Sequence, residues 1–284
     1  MTGKAPGKLI VTGEHAVVYG HRAVAMAIDR GTQIELTPCD GPTRIVEAPI
    51  DDVRLQRCVA LLLPPEGLAV RIRSTLPIGR GLGSSASLSV ALVRALASYE
   101  GRSAAYDECF EKAFVAERHF HGTPSGIDHA TVASGGALVF DPKGPSFSTL
   151  PLADARLVAI DSGTAGDTKM LVAGVRARIG ELRSVIDEIG AVSEAVIARL
   201  SAGGTLFDAS PELRENQRLL SALGVSTERI DAIVAWALAR GAAAAKLSGA
   251  GGGGIVIAVH EDPEALVADA VGVGHSAFVA ARAA

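Results

Sequence analysis

Glycines alternate through Gly79-Arg-Gly-Leu-Gly-Ser-Ser85, and a helical pattern starts directly after them. Leu88, Leu92, Val93 and Leu96 share one side of that helix, which stops at Gly101. Glycine permits positive φ and close approach of backbone to its surroundings. A helix N-terminus adds unpaired N–H groups and a partial positive charge, so loop and helix together suit a bound phosphate. An ordinary tight turn with a serine cap needs one glycine, not three. Two familiar phosphate loops are excluded by spacing. No Lys follows the glycines as in a Walker A loop, and Gly3-Lys-Ala-Pro-Gly7-Lys8 has the wrong spacing and no Ser or Thr after the Lys. The alternation also lacks the G-x-G-x-x-G pattern of a dinucleotide fingerprint, and no clear βαβ unit surrounds it.

A second glycine segment, Lys246-Leu-Ser-Gly-Ala-Gly-Gly-Gly-Gly254, lies between two short strand patterns. Five glycines in six positions exceed what a hairpin needs. They imply backbone packed against a ligand or against the first glycine loop.

Composition excludes several classes. At 284 residues the chain is one large domain or two ordinary ones. It is 48% hydrophobic but 4% aromatic, so its core is built from Ala, Val, Leu and Ile. A net charge of −4 without any Lys/Arg block gives no footprint for nucleic acid. No apolar run approaches the ~18–20 residues that span a bilayer. The first apolar run soon meets Glu14 and His15, unlike a signal peptide. Cys39, Cys58 and Cys109 are odd in number and far apart, which suits a reducing cytoplasm and offers no metal spacing. Cys109 reads as a small core residue.

The patterns predict strands at 32–37, 68–73, 137–140, 157–160, 243–247, 255–259 and 277–281. Helices are expected at 104–120, 227–239 and 263–271, with one long helix carrying Leu171, Val175, Leu182, Ile186 and Ile189 on one face. Residues 121–128 read as a loop ending at Asp128. The class is α+β, with a split βαβ arrangement in the second half. A stretch with Pro, Gly and Ser at 141–151 divides the chain into 1–150 and 151–284.

Several single residues carry chemistry. Phe110, Ala113, Phe114 and Glu117 fall at i, i+3, i+4 and i+7, placing the Glu117 carboxylate on an apolar face. A buried carboxylate needs an ion pair or a cation. The phosphate loop nearby favours the cation, because Mg²⁺ takes one or two carboxylates beside phosphate oxygens. Asp128 is either a turn former or a carboxylate that receives a hydroxyl proton during phosphoryl transfer. Lys8, on a first strand after Pro6-Gly7, is either an edge lysine or a cation at a transferring phosphoryl group. His15 is either a satisfied half-buried histidine or, with Glu14 and the flanking glycines, part of a substrate pocket.

These segments together resemble the GHMP small-molecule kinases, and within them the mevalonate kinase family. Three stretches carry the superfamily resemblance: Ala5-Pro-Gly-Lys-Leu-Ile-Val-Thr-Gly-Glu-His-Ala-Val-Val-Tyr-Gly20, Pro77-Ile-Gly-Arg-Gly-Leu-Gly-Ser-Ser-Ala86 and the segment 246–254. Glu117 through His121-Gly-Thr-Pro-Ser-Gly-Ile-Asp128, and Asp161-Ser-Gly-Thr-Ala-Gly-Asp-Thr-Lys169, carry the narrower one. The resemblance implies ATP- and Mg²⁺-dependent phosphorylation of the primary hydroxyl of (R)-mevalonate. It implies Asp128 and Lys8 as catalytic residues, and Ser85 and Glu117 as Mg²⁺ ligands. Gly79, Gly81, Leu82, Gly83, Ser84, Ser85 and Ala86 would cradle the nucleotide phosphates. Glu14, His15 and Thr168 would lie near the substrate. The implied fold is an N-terminal domain like ribosomal protein S5 domain 2 and a ferredoxin-like C-terminal domain, in a cytoplasmic enzyme for which a homodimer is an option. There are departures. Only 56 residues separate Gly20 from Pro77, trimming the segment expected at the adenine. Ser248 replaces a common Thr, and Asp128-His129 stands where Asp-Asn is frequent. Another GHMP kinase, for phosphomevalonate, a sugar or homoserine, is the nearest rival. A non-catalytic ligand sensor on the same fold is the alternative of a different class, and it would be expected to lack Lys8, Glu117 or Asp128.

Overall fold

The computed structural model describes residues 1–121, 125–144, 146–152 and 155–283. The chain begins with β1 (Thr2–Thr12), a 3-10 turn (Ala16–Tyr19), β2 (Ala23–Pro42), β3 (Arg44–Glu47), α1 (Val53–Leu62) and β4 (Glu66–Ser74). It continues with α2 (Ser84–Tyr99), α3 (Tyr106–His121), α4 (Ile127–Ser134), β5 (Ala137–Asp141) and β6 (Ser146–Thr149). The second half runs β7 (Arg156–Asp161), α5 (Thr168–Ala177), α6 (Ile179–Ser201), α7 (Ser210–Ala222) and α8 (Glu228–Ala239). It closes with β8 (Ala244–Ser248), β9 (Ile255–Val259), α9 (Pro263–Gly272) and β10 (Ala277–Ala281).

Two sheets result. In the first, β2 is long enough to pair along its length with β1, β4 and β5, and the order β3-β4-β2-β5-β6 is completed by β1 on β2. The second has the order β10-β7-β9-β8 and is antiparallel throughout. With helices between β7 and β8 and α9 between β9 and β10, this is the expected split βαβ, ferredoxin-like arrangement.

Strand periodicity decides where the cores sit. Along β7, Leu157 and Ala159 face a core shared with Leu9, Val24 and Met26 of the first sheet. Val158 and Ile160 point the other way, into a core closed by Ile186, Leu220 and Ile230 of the helices. A third core lies under α2, where Leu92 meets Ile34, Leu36, Val70 and Ile72. That helix sits flush on β1. A Cβ at Gly3 would fall 2.2 Å from the Ala91 carbonyl oxygen. Ser87 Oγ donates to Ala5 O at 2.9 Å and accepts from Thr32 N at 3.1 Å.

The structure corrects several expectations. The strand at 32–37 is one part of β2. The loop expected at 121–128 is cut short, because α4 begins at Ile127 and Asp128 lies in its first turn. Gly122–Pro124 of that loop lie outside the described residues. The start of α4 carries no cap signal: its N-cap is Gly126 at φ 89°, with no side-chain hydrogen bond. The long helix is two helices, interrupted at Arg178 (φ −108°, ψ 15°). Its apolar face still runs on, since Val175 and Leu182 are seven residues apart and both are buried. β3, α1, β6 and α7 were not expected. In α7 the apolar period is broken by buried Asn216 and Gln217. Gln217 has a tertiary reason to be inside, because its Oε1 accepts the Leu247 N–H at 2.8 Å. The strands expected at 255–259 and 277–281 match β9 and β10.

The contact of α2 with β1 gives a direct test. Gly3→Val should destabilise the protein by about 1–3 kcal/mol in urea denaturation, as overpacking does. Gly144→Ala, whose Cβ would meet nothing within 4 Å, should stay within about 0.5 kcal/mol of the parent.

Candidate active site

Lys8 lies between two register shifts in the pairing of β1 with β2, at Pro6/Gly7 and Ile10/Thr12. Such irregularities bend a strand and re-aim its side chains. Its N–H donates to Leu82 O at 2.9 Å, which docks the first glycine loop on β1. The side chain then crosses Gly83, where a Cβ would lie 2.9 Å from Lys8 Cγ. Its ammonium is buried and sits 3.0 Å from Asp128 Oδ1, whereas the Asp128 side chain remains 36% exposed. The acceptor oxygens of this pair therefore face accessible space, and the cation supports them from behind.

Gly79, Gly81 and Gly83 all have positive φ, at 72°, 78° and 70°. Gly83 is the N-cap of α2, without a side-chain hydrogen bond and without an acidic residue in the first turn. The positive end of the helix is thus left uncompensated, and the N–H groups of its first turn have no intrahelical acceptors. Leu82 and Ala86 are buried beneath the loop, while Ser84 and Ser85 are half-buried. Ser85 Oγ donates to Glu117 Oε1 at 3.3 Å. Glu117 comes from α3 and is buried, as its helical spacing predicted. His129, next to Asp128 on α4, places Nε2 3.7 Å from Glu117 Oε2.

The second glycine segment packs against the first. A Cβ at Gly254 would fall 2.9 Å from Arg80 O, and one at Gly81 would reach Ser248 O at 3.7 Å. The same segment also receives residues 161–166. Gly254 N donates to Thr164 O and Ser162 N to Gly254 O, both at 2.8 Å. A Cβ at Gly166 would sit 2.2 Å from Gly251 O. Arg80, inside the first loop, is anchored to this segment through Asp161 Oδ2 at 2.9 Å.

Three further links tie β8 and its loop to β1 and the turn after it. Ser248 Oγ accepts from Ile10 N at 2.9 Å and donates to Ile10 O at 3.0 Å. His15 Nε2 meets Ala250 O at 2.9 Å, with His15 held at φ 59°. Lys246 Nζ pairs with Glu14 Oε1, both side chains being essentially inaccessible. Burial pushes the Glu14 carboxyl up and the Lys246 ammonium down, and each partner opposes the other's shift. Burial also lowers His15 below the usual histidine value, against the effect of its bond to Ala250.

Comparison with known proteins agrees with this geometry. Residues 53–136 match the family model of the GHMP kinases N terminal domain, and 197–273 that of GHMP kinases C terminal. The mevalonate kinase of Pyrococcus abyssi is 32% identical, over 94% of this chain and 90% of its own length. That of Methanothermobacter thermautotrophicus is 33% identical, over 90% and 89%. The chain belongs to the mevalonate kinase family. The crystal structure of the Methanococcus jannaschii mevalonate kinase superposes with a TM-score of 0.85 at 26% identity, covering 100% of this chain and 98% of that one.

Of the residues this family resemblance singled out, the structure gathers Lys8, Asp128, Ser85, Glu117 and the glycine loop. Glu14 and His15 lie on the adjoining turn, bonded to the 246–250 segment. Thr168 opens α5 and is exposed. Among the described residues no hydrogen bond joins it to Lys8, Asp128, Glu14 or His15. For a divalent cation the fit is chemical. A hydroxyl and a carboxylate beside a phosphate loop are hard oxygen donors of the kind Mg²⁺ accepts. The described residues hold no group of three or more His, Cys, Asp or Glu suited to a metal. The remaining ligands would be phosphate oxygens and water, the usual Mg²⁺ arrangement.

Sequence reasoning assigned no role to Lys246, Ser248, Arg80, Asp161 or His129. Lys246 was the most accessible of these: a lysine inside Ala-Ala-Lys-Leu-Ser, a strand buried at every position, requires an anionic partner.

Two outcomes are expected. Lys246→Met should destabilise the chain by about 3–5 kcal/mol in chemical denaturation, because it strands a buried carboxylate. Adding Glu14→Gln to that variant should recover part of the loss. His15 is lowered in the folded state from an ordinary 6.5, so its contribution to stability is complete above 6.5 and is lost as pH falls below it. His15→Gln should therefore flatten the loss of stability as pH falls below 6.5 in pH-resolved melting curves.

Proposed function

We propose that this chain transfers the terminal phosphoryl group of ATP to the primary (C5) hydroxyl of (R)-mevalonate, releasing ADP and 5-phosphomevalonate. The observation that carries the reading is the Lys8–Asp128 pair, 3.0 Å apart and seated against the glycine loop. The mevalonate kinases that align along nearly the whole chain support the substrate assignment.

In this reading the 1–150 region carries the nucleotide site, and 151–284 supplies the backing segments 161–169 and 246–254. The N–H groups of Gly79, Gly81, Leu82, Gly83, Ser84, Ser85 and Ala86 line the phosphates. Ser85 and Glu117 would hold Mg²⁺, which when bound would neutralise phosphate charge and help orient the phosphates. Asp128 accepts the hydrogen bond of the attacking hydroxyl and takes its proton as the O–P bond forms. Lys8 keeps Asp128 in place and offsets negative charge at the attacking and transferred oxygens. Phosphoryl transfer through a loose transition state removes that proton late, so alignment by Asp128 outweighs its strength as a base. Glu14, His15 and Thr168 belong to the substrate side, with Glu14 and His15 positioned by Lys246 and Ala250. No helix among the described residues is long and apolar enough to cross a membrane. Three free cysteines agree with a cytoplasmic setting.

The test is coupled ADP release with Mg·ATP, offering (R)-mevalonate beside phosphomevalonate, homoserine and galactose. Saturable turnover on mevalonate alone is expected, and turnover confined to another acceptor would overturn the substrate. Asp128→Asn and Lys8→Met should each lower kcat by roughly 10²-fold or more, with ATP affinity measured by calorimetry nearly unchanged. Parallel loss of ATP affinity in both variants would contradict the assigned roles.

A further inference from the structure

His129 has no place in the scheme above, yet it directly follows Asp128 on α4. It is 1% exposed, and neither ring nitrogen has a hydrogen-bond partner among the described residues. The ring packs edge-on against Phe114, with centroids 5.9 Å apart. A buried imidazole with both nitrogens unused is costly, and an unsatisfied group of this kind needs a reason. The reason faces it. Glu117 Oε2 lies 3.7 Å from His129 Nε2, just beyond hydrogen-bond range. The two oxygens of Glu117 are thereby divided: Oε1 meets Ser85 Oγ at 3.3 Å, and Oε2 meets His129. His129 also follows Asp128 directly on the first turn of α4, so one rigid turn sets the Lys8 contact and the Glu117 contact together.

We propose that His129 is a positioning residue for Glu117. Its Nε2–H donates to Oε2 when Oε1 and Ser85 hold the divalent cation, closing the 3.7 Å gap and fixing the carboxylate so that a single oxygen faces the metal. A carboxylate ligand free to rotate would bind the cation with two oxygens or with either one, and would hold the phosphates in more than one register. An outer donor that removes this freedom raises metal affinity and sharpens its geometry. The inference rests on the assignment of Ser85 and Glu117 to the cation.

The test uses the full chain with Mn²⁺ as the probe. Free Mn²⁺ is titrated by electron paramagnetic resonance in the presence of ATP for the parent, His129→Gln, His129→Leu and Glu117→Gln. His129→Leu should weaken Mn²⁺ binding by ~10–100-fold, the range for lost outer-shell partners. His129→Gln, which keeps a donor, should restore most of it, and metal-free ATP affinity should be unchanged in both. Unaltered Mn²⁺ affinity in a folded His129→Leu protein would overturn the proposal. So would nitrogen hyperfine coupling to bound Mn²⁺ that vanishes in His129→Gln, since it would make His129 a direct ligand. Unaltered Mn²⁺ affinity in Glu117→Gln would instead remove the cation assignment on which the proposal stands. If the Leu variant does not fold, histidine-ring ¹⁵N spectra of the parent serve. A protected Nε2–H must appear with Mg·ATP and not with ATP alone, and its absence would sink the idea.

Discussion

A carboxylate and an ammonium withdrawn from water hold the two sheets in one arrangement. Glu14 comes from the turn after β1, and Lys246 from β8. Buried charges of this kind are tolerated only in close pairing, so the contact fixes how β8 sits on the first sheet. Neighbouring groups inherit that registration. Ser248 is on the same face of β8 as Lys246 and bridges both backbone groups of Ile10. His15 follows Glu14 and reaches Ala250 O. A one-residue slip of β8 would turn Lys246 and Ser248 away together.

With β8 registered, the two glycine loops meet backbone to backbone, which no side chain at Gly254 would allow. The first loop is then held from two sides, by the Lys8 N–H of β1 donating to Leu82 O and by the Arg80–Asp161 ion pair. The uncapped end of α2 opens beside Lys8, giving a positive region for phosphates. Carboxylates enter this region from other elements, Asp128 on α4 and Glu117 on α3. The open end of α2, the Lys8–Asp128 ion pair and the Glu117 carboxylate thus occupy one place, the charge layout that the proposed phosphoryl transfer requires.

β9, buried at every position, and β10, with alternate residues buried, were both well read from sequence, because their limits are set by local pattern and by flanking Gly or Pro. The helix of Glu117 was read with its burial, since three apolar neighbours at helical spacing define a face without outside information. Of the three helices that escaped, α1, α4 and α7, the last two show why. α4 is eight residues long and starts at a glycine, with no side-chain cap to announce it. α7 buries Asn216 and Gln217, and Gln217 is inside because a strand N–H elsewhere in the fold needs its oxygen. A polar residue that is buried for a tertiary reason looks exposed to any local pattern. The break at Arg178 escaped because it leaves the apolar face continuous.

The glycine loop at the start of α2, the buried carboxylate on α3 and the family itself were legible in the chain, because glycine spacing, helical period and motif order are local properties of sequence. Pairings were not legible. Glu14 finds Lys246 across 232 positions, and Ser248 finds Ile10 across 238. The division of Glu117 between Ser85 and His129, and of Asp128 toward Lys8, also appears only after α2, α3 and α4 have packed. A side chain's chemistry travels with its residue type, but its partner, its dielectric surroundings and the direction of its lone pairs are set by what the fold brings within a few ångströms.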